Sequence, residues 1–130
     1  MRTAVCELLG IEIPIIQAPM GGAVGPQVVA AVSSAGGPGT IPLWGKDIDT
    51  VRDRIREIKS LSSKPFAANL NLGFPHEERL EVCLQMRVPV ISFFWGSSPE
   101  IGRSCQGWWS CRHANSGDGK RSTSRRWERC

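Results

Sequence analysis

From Ser104 to Cys130 the chain contains no valine, isoleucine, leucine, methionine or phenylalanine. A stretch without aliphatic side chains cannot bury enough surface to offset its ordering entropy, so composition assigns 104–130 to a disordered basic tail. A long apolar run is also missing. Nothing approaches the ~20 residues that span a bilayer, and no charged-then-apolar leader opens the chain. A soluble, cytoplasmic protein without a membrane partner is the expectation. Histidine is scarce, with only His76 and His113. His76 follows Pro75 at a helix start and reads as a solvated first-turn residue, and His113 lies in the tail. Neither is assigned a catalytic role. Cys105, Cys111, His113 and Cys130 match no usual zinc spacing, so no metal is expected.

Excess charge is absent from the first hundred residues. The formal net charge is +4, and the tail supplies it through Arg112, Lys120, Arg121, Arg125, Arg126 and Arg129 against Asp118 and Glu128. Basic residues interleaved with Trp108, Trp109 and Trp127 could stack on and neutralise a nucleic acid. A charge excess confined to one tail favours no specific nucleic-acid partner. Of the five cysteines, Cys6 and Cys83 are flanked by apolar residues and read as reduced, buried thiols.

What is present reads as alternating strands and helices. Ile11–Gln17 (IEIPIIQ) is a short β-branched run ending in the Ala18-Pro19-Met20-Gly21-Gly22 loop, a buried strand and a turn. Pro26 opens a helix with Val28, Val29, Ala31, Val32 and Ala35, which Gly36-Gly37 stops. Gly39–Leu43 is the second strand. Asp47–Leu61 is the clearest helix, with Ile48, Val51, Ile55, Ile58 and Leu61 spaced by three and four. Phe66–Leu72 is the third strand. A helix from Pro75 turns Leu80, Cys83, Leu84 and Val82 inward, and Val88–Phe94 is the fourth strand.

Continuous apolar strands separated by amphipathic helices mean a parallel sheet covered by helices. Four strands in about 95 residues is the pace of a (β/α)8 barrel of about 250 residues. The predicted architecture is the amino-terminal half of such a TIM barrel over residues 1–103. A flavodoxin-like sheet is the alternative, but the tail supplies no further apolar strand to complete one.

In such folds chemistry collects beyond the carboxyl ends of the strands. The small residues Ala18, Pro19 and Gly21 let backbone approach a flat ligand, and Met20 offers a polarizable thioether. An ordinary turn with a core methionine is the plainer reading of that loop. Asn69 is a polar residue inside an apolar strand and must find partners, in a neighbouring loop or on a heterocycle. Asn71 points the same way, and periodicity does not choose between them. Phe93-Phe94-Trp95-Gly96 could wall a pocket or plug the barrel.

The segment LLGIEIPIIQAPMGGAVGPQVVAAVSSAGGPGTIPLW, followed by KPFAANLNL and VPVISFFWG, resembles the nitronate monooxygenase (2-nitropropane dioxygenase-like) family over residues 7–103. Related FMN-dependent enoyl reductases typically carry Gly-Gly-Met where this chain has Ala18-Pro19-Met20. The resemblance implies a TIM barrel with non-covalent FMN that denitrifies alkyl nitronates with molecular oxygen. It implies that Ala18, Pro19, Met20 and Gly21 contact the isoalloxazine ring and that Asn69 hydrogen-bonds it. An FMN-dependent enoyl reductase or NAD(P)H:quinone reductase is the enzymatic alternative. A non-enzymatic product, or a nucleic-acid-binding tail, is the alternative from another class.

The family's glycine-rich phosphate loops and its Ala-Gly-Gly-His segment have no counterpart in these 130 residues. The expectation is a chain without its catalytic histidine, inactive by itself. The tail is rich in Arg, Ser, Gly, Cys and Trp, as GC-rich coding DNA is when read out of frame. Residues 113–126 can be encoded so that the next frame reads as a further strand and helix. A frameshift is therefore expected at the seam near residue 104.

Overall fold

In the computed structural model, which describes residues 3–95 and the backbone of 109–112, three parallel strands alternate with helices. The elements are α1 (Ala4–Leu9), α2 (Pro26–Ser34), β1 (Thr40–Pro42), α3 (Ile48–Leu61), β2 (Ala67–Asn71), α4 (Glu77–Gln85), β3 (Val90–Phe94) and β4 (Trp109–Arg112). β1 pairs parallel with β2, placing Pro42 opposite Asn69. β2 pairs parallel with β3, placing Asn69 opposite Ser92 and Asn71 opposite Phe94.

The period of two divides each strand between two faces. Ile41 and Leu43, then Phe66, Ala68 and Leu70, then Ile91 and Phe93 join Val29, Val51, Ile55, Ile58, Val82 and Cys83 in the main core. That is the helix-covered face. Thr40, Pro42, Ala67, Asn69, Asn71, Val90, Ser92 and Phe94 therefore face the other way, toward the interior of a barrel. Cys6 and Leu9 of α1, with Ile11, pack on Ala67 and Val90, the first residues of β2 and β3. α1, which the sequence patterning did not reveal, thus closes the amino-terminal end of the inner face.

α3 forms where its periodicity predicts. Val51, Ile55 and Ile58 are sealed from solvent, whereas Leu61, expected inward, is exposed on the last turn. Asp47 lies just outside the helix as its N-cap. Its carboxylate accepts from Thr50 N at 2.8 Å and from Thr50 Oγ1 at 2.6 Å, satisfying a first-turn donor. α4 starts at Glu77, with Val82 and Cys83 buried and Leu80 and Leu84 half-buried against the core.

Ile11–Gln17 departs from expectation. It runs alongside the segment before β1 but forms no strand. Glu12 N and Ile13 N both donate to Gly36 O, and Gln17 N donates to Pro38 O. Gln17 Oε1 accepts from Thr40 N at 2.9 Å. Pro14 has no N–H for a ladder, which breaks the regular pairing. An added Cβ at Gly37 would stand 2.6 Å from Ile15 O, so the approach of the two segments requires glycine there. Ile13, Ile15 and Ile16 are exposed along this outer edge, Ile15 at 69%. In a closed barrel that edge is where the last strand pairs.

The opposite edge carries a short fourth strand. β4, drawn from the segment whose composition argues against order, pairs antiparallel with β3. Backbone hydrogen bonds on an open edge require no aliphatic side chain. The other tail residues, with His113, Gly96 and the zinc and nucleic-acid readings, lie outside the described residues. No helix among the described residues is long and apolar enough to cross a membrane.

Candidate active site

The carboxyl ends of β1, β2 and β3 open onto one rim. Trp44 leaves β1, Phe74 leaves β2, and Phe94 closes β3. Trp44 stacks on Phe74 with ring centroids 6.1 Å apart and meets Phe94 edge-on at 6.4 Å. Phe94 contacts Trp95 at 6.5 Å. Of the Phe93-Phe94-Trp95-Gly96 segment proposed as a wall or a plug, Phe93 belongs to the helix-side core, and Phe94 faces the interior. Trp95 is 79% exposed and sits at φ +51°, a left-handed conformation uncommon for a bulky residue.

The Ala18–Gly22 loop lies against this aromatic rim. An added Cβ on Gly21 would stand 2.6 Å from Trp44 Cζ2. The bare glycine thus lets the indole ring pack directly on the loop backbone. Gly22 takes φ +81°, a conformation glycine adopts without strain. Met20 O accepts from Ala23 N and Val24 N and closes the turn, while the Met20 side chain is half exposed at 49%. It is not a core methionine. Ala18 and Gly21 are exposed and Pro19 is half-buried. Gln17 Nε2 donates to Ala18 O.

One layer deeper on the inner face lies Asn69, 0% exposed. Its Nδ2 donates to Ser92 Oγ at 2.9 Å. Its Oδ1 has no hydrogen-bond partner, and neither has Thr40 Oγ1. Asn71, which sequence periodicity could not separate from Asn69, resolves differently. Its Oδ1 accepts from Gly73 N at 2.8 Å and fastens the turn after β2. Asn71 is satisfied by its own loop, and Asn69 retains a free acceptor.

His76 is not the solvated residue expected from its position. Its side chain is 13% exposed, and Nδ1 lies 3.0 Å from Phe74 O. It precedes α4 as the N-cap residue and serves the turn rather than the rim. The neighbouring Glu77 carboxyl is held below the usual carboxylate range, first by its own backbone N–H and then by that of His76, with the nearby imidazole adding to it. Among the described residues, no group of metal-ligating side chains converges.

Parallel β/α units with polar and small residues gathered at the carboxyl ends of the strands define the class as a TIM-barrel fold. The nitronate monooxygenase family model matches residues 2–78, and the chain belongs to that family. It is 52% identical over 64 residues to a nitronate monooxygenase of Pseudomonas aeruginosa, covering 49% of this chain and 18% of that protein. It is 32% identical over 104 residues to (3aS,4S,5R,7aS)-5-hydroxy-7a-methyl-1-oxo-octahydro-1H-indene-4-carboxyl-CoA dehydrogenase of Rhodococcus jostii, covering 78% of this chain and 29% of that protein. The structure of the FabK M276A mutant from Thermotoga maritima superposes with a TM-score of 0.74 at 38% identity, covering 77% of this chain and 34% of that one. The chain thus matches 18% to 34% of the length of these relatives.

Proposed function

We propose that this chain carries the flavin-facing loops of an FMN-dependent nitronate monooxygenase. The observation that carries the reading is the orphaned, buried Oδ1 of Asn69 on the inner face of the sheet. A buried acceptor without a partner costs about 1–3 kcal/mol, and an N–H of a heterocycle would satisfy it. The residues above fit a flat ring. Met20 presents a half-exposed thioether, Gly21 and Gly22 carry no side chain, and Ala18 and Pro19 are small. Phe94 and Trp95 supply an apolar wall beside them.

In this reading Asn69 Oδ1 accepts a ring N–H while Ser92 Oγ holds the other end of the amide. Met20, Ala18 and Pro19 lie against one face of the ring and exclude water from it. When bound, FMN supplies the electron transfer between an alkyl nitronate and molecular oxygen. The 130 residues contain no Ala-Gly-Gly-His segment. The chain by itself is thus expected to bind FMN weakly and not to turn over.

The test compares the chain with a version extended by the remaining β/α units of the family. The extended protein should purify yellow and consume oxygen with propyl nitronate. The 130-residue chain should bind FMN only weakly, by flavin fluorescence, and show no oxygen uptake. An extended protein that binds no FMN would overturn the assignment of the loops.

A second reading, a flavin-dependent reductase or dehydrogenase of the same barrel superfamily, is favoured by the relative named as a carboxyl-CoA dehydrogenase. An extended protein that ignores nitronate but oxidises NAD(P)H with an enoyl thioester or a quinone would decide for it.

A further inference from the structure

Beside the Trp44 ring lies a cavity of about 280 Å³ lined by Gly21, Gly22, Pro42, Trp44, Lys46 and Arg54, among others. It opens between the Ala18–Gly25 loop, the turn after β1, and α3. Two of its lining residues are cations, and none of the lining residues is acidic. Among the described residues, neither Lys46 nor Arg54 forms an ion pair. Three carboxylates on and beside α3 are engaged elsewhere, and Asp49 forms no ion pair among the described residues. Asp47 caps the helix through Thr50, Asp53 pairs with Arg56 at 2.9 Å, and Glu57 accepts from Gln27.

The cavity is also built to expose backbone. Gly22 and Gly45 adopt φ +81° and +69°, and an added Cβ at either would meet nothing within 4 Å. Lys46 is held in place through its own carbonyl, which accepts from Arg79 Nε at 2.7 Å. The turn that presents the Lys46 ammonium is therefore anchored to α4.

We propose that this cavity is a phosphate-binding subsite, with Lys46 and Arg54 as its cationic ligands and Trp44 in its wall. Two converging, unpaired cations beside a bare glycine loop favour a doubly charged oxyanion over a neutral ligand. Its position beside the Ala18–Gly22 loop suits the phosphorylated arm of a substrate or coenzyme whose other end reaches the rim. Free inorganic phosphate carries the same chemistry. The assignment goes beyond the flavin reading and does not depend on it.

The test is isothermal titration calorimetry of the full 130-residue chain, without flavin, against inorganic phosphate, inorganic pyrophosphate and coenzyme A. Saturable pyrophosphate binding at one site is expected, weakened about tenfold by Lys46→Gln and by Arg54→Gln. Lys59→Gln, a cation on the same helix as Arg54 that instead donates to Met86 O, should leave it unchanged. Circular dichroism checks that each variant keeps its helices, and Arg54→Lys offers a milder change should Arg54→Gln unfold. Coenzyme A binding more tightly than inorganic phosphate would assign the subsite to the arm of a larger ligand, and equal affinities would assign it to the free anion. The proposal is overturned if pyrophosphate gives no saturable heat. It is equally overturned if both lining variants bind as the parent does, since the basic tail would then account for the binding.

Discussion

Asn69 Nδ2 donates to Ser92 Oγ across the β2–β3 pair at 2.9 Å, and the bond leaves the carbonyl oxygen of the same amide buried without a partner. One half of the side chain is structural, and the other half is available to a ligand. Asn69→Leu separates the two. It deletes the orphaned acceptor together with the Ser92 bond, so stability should change by no more than about 1 kcal/mol. FMN affinity of the extended protein should fall about tenfold or more. Urea unfolding and flavin fluorescence titration measure the two quantities on the same sample.

Gly39 joins α2 to β1 through a close backbone approach and a bond to a helix side chain. Its N donates to Ser33 Oγ at 3.2 Å, and an added Cβ would lie 2.2 Å from Val29 O. Because the obstacle is helix backbone, no rotamer change relieves it. Gly39→Ala should therefore destabilise by at least about 2 kcal/mol, as overpacking of a closed contact does. Leu70→Ala, which removes side-chain volume from the same core, should cost about 2–5 kcal/mol. Denaturant midpoints at constant m-value would confirm both, and a parent-like midpoint for Gly39→Ala would show that α2 can withdraw from the sheet.

Asp47 gives α3 an acid-sensitive start. The Thr50 hydroxyl and then the Thr50 N–H hold its carboxyl below the ordinary value of 3.8. A group whose folded pKa is depressed contributes stability above its unfolded pKa and loses it as pH falls through the folded one. The contribution should thus be complete above about pH 5 and decline below about pH 4. Asp47→Ala should lower the urea midpoint at pH 7, and the difference should shrink as pH falls below about 4. An undiminished difference between the two proteins at low pH would refute the cap.

Cys83 behaves in the opposite sense. Burial pushes its thiol up to about 12 from an ordinary 9.0. The unfolded thiol ionises first, so stability should fall as pH rises from about 9 toward 12, by about 1.4 kcal/mol for each unit at full separation. In the native protein at pH 8, iodoacetamide should spare Cys83, and it should modify it fully in urea. Mass spectrometry of the peptide containing Cys83 reads both states, and rapid native labelling would show that α4 opens locally.

The composition change at residue 104 carries a prediction about the gene. Sequencing across the codons for residues 103–130 and beyond should reveal the further β/α units of the family in a shifted frame. Downstream DNA without that coding capacity would leave 104–130 as the chain's own segment, with β4 as its contribution to the sheet.

The amphipathic spacing of α3 and the apolar runs of β2 and β3 were legible in the sequence because local propensity and burial agree there. The family was legible for a similar reason, in contiguous motifs such as Ile15-Ile16-Gln17-Ala18-Pro19-Met20. Tertiary structure decided the rest. Ile11–Gln17 has the composition of a strand, but strand pairing depends on two neighbours, and Pro14 interrupts one of them. Asn69 and Asn71 share a face by period alone, yet only the turn at Gly73 occupies one amide and frees the other. Trp44 over Gly21, and Lys46 beside Arg54, join positions on separate elements. No local pattern encodes such pairs, because packing of helix on sheet, rather than chain order, brings them within reach.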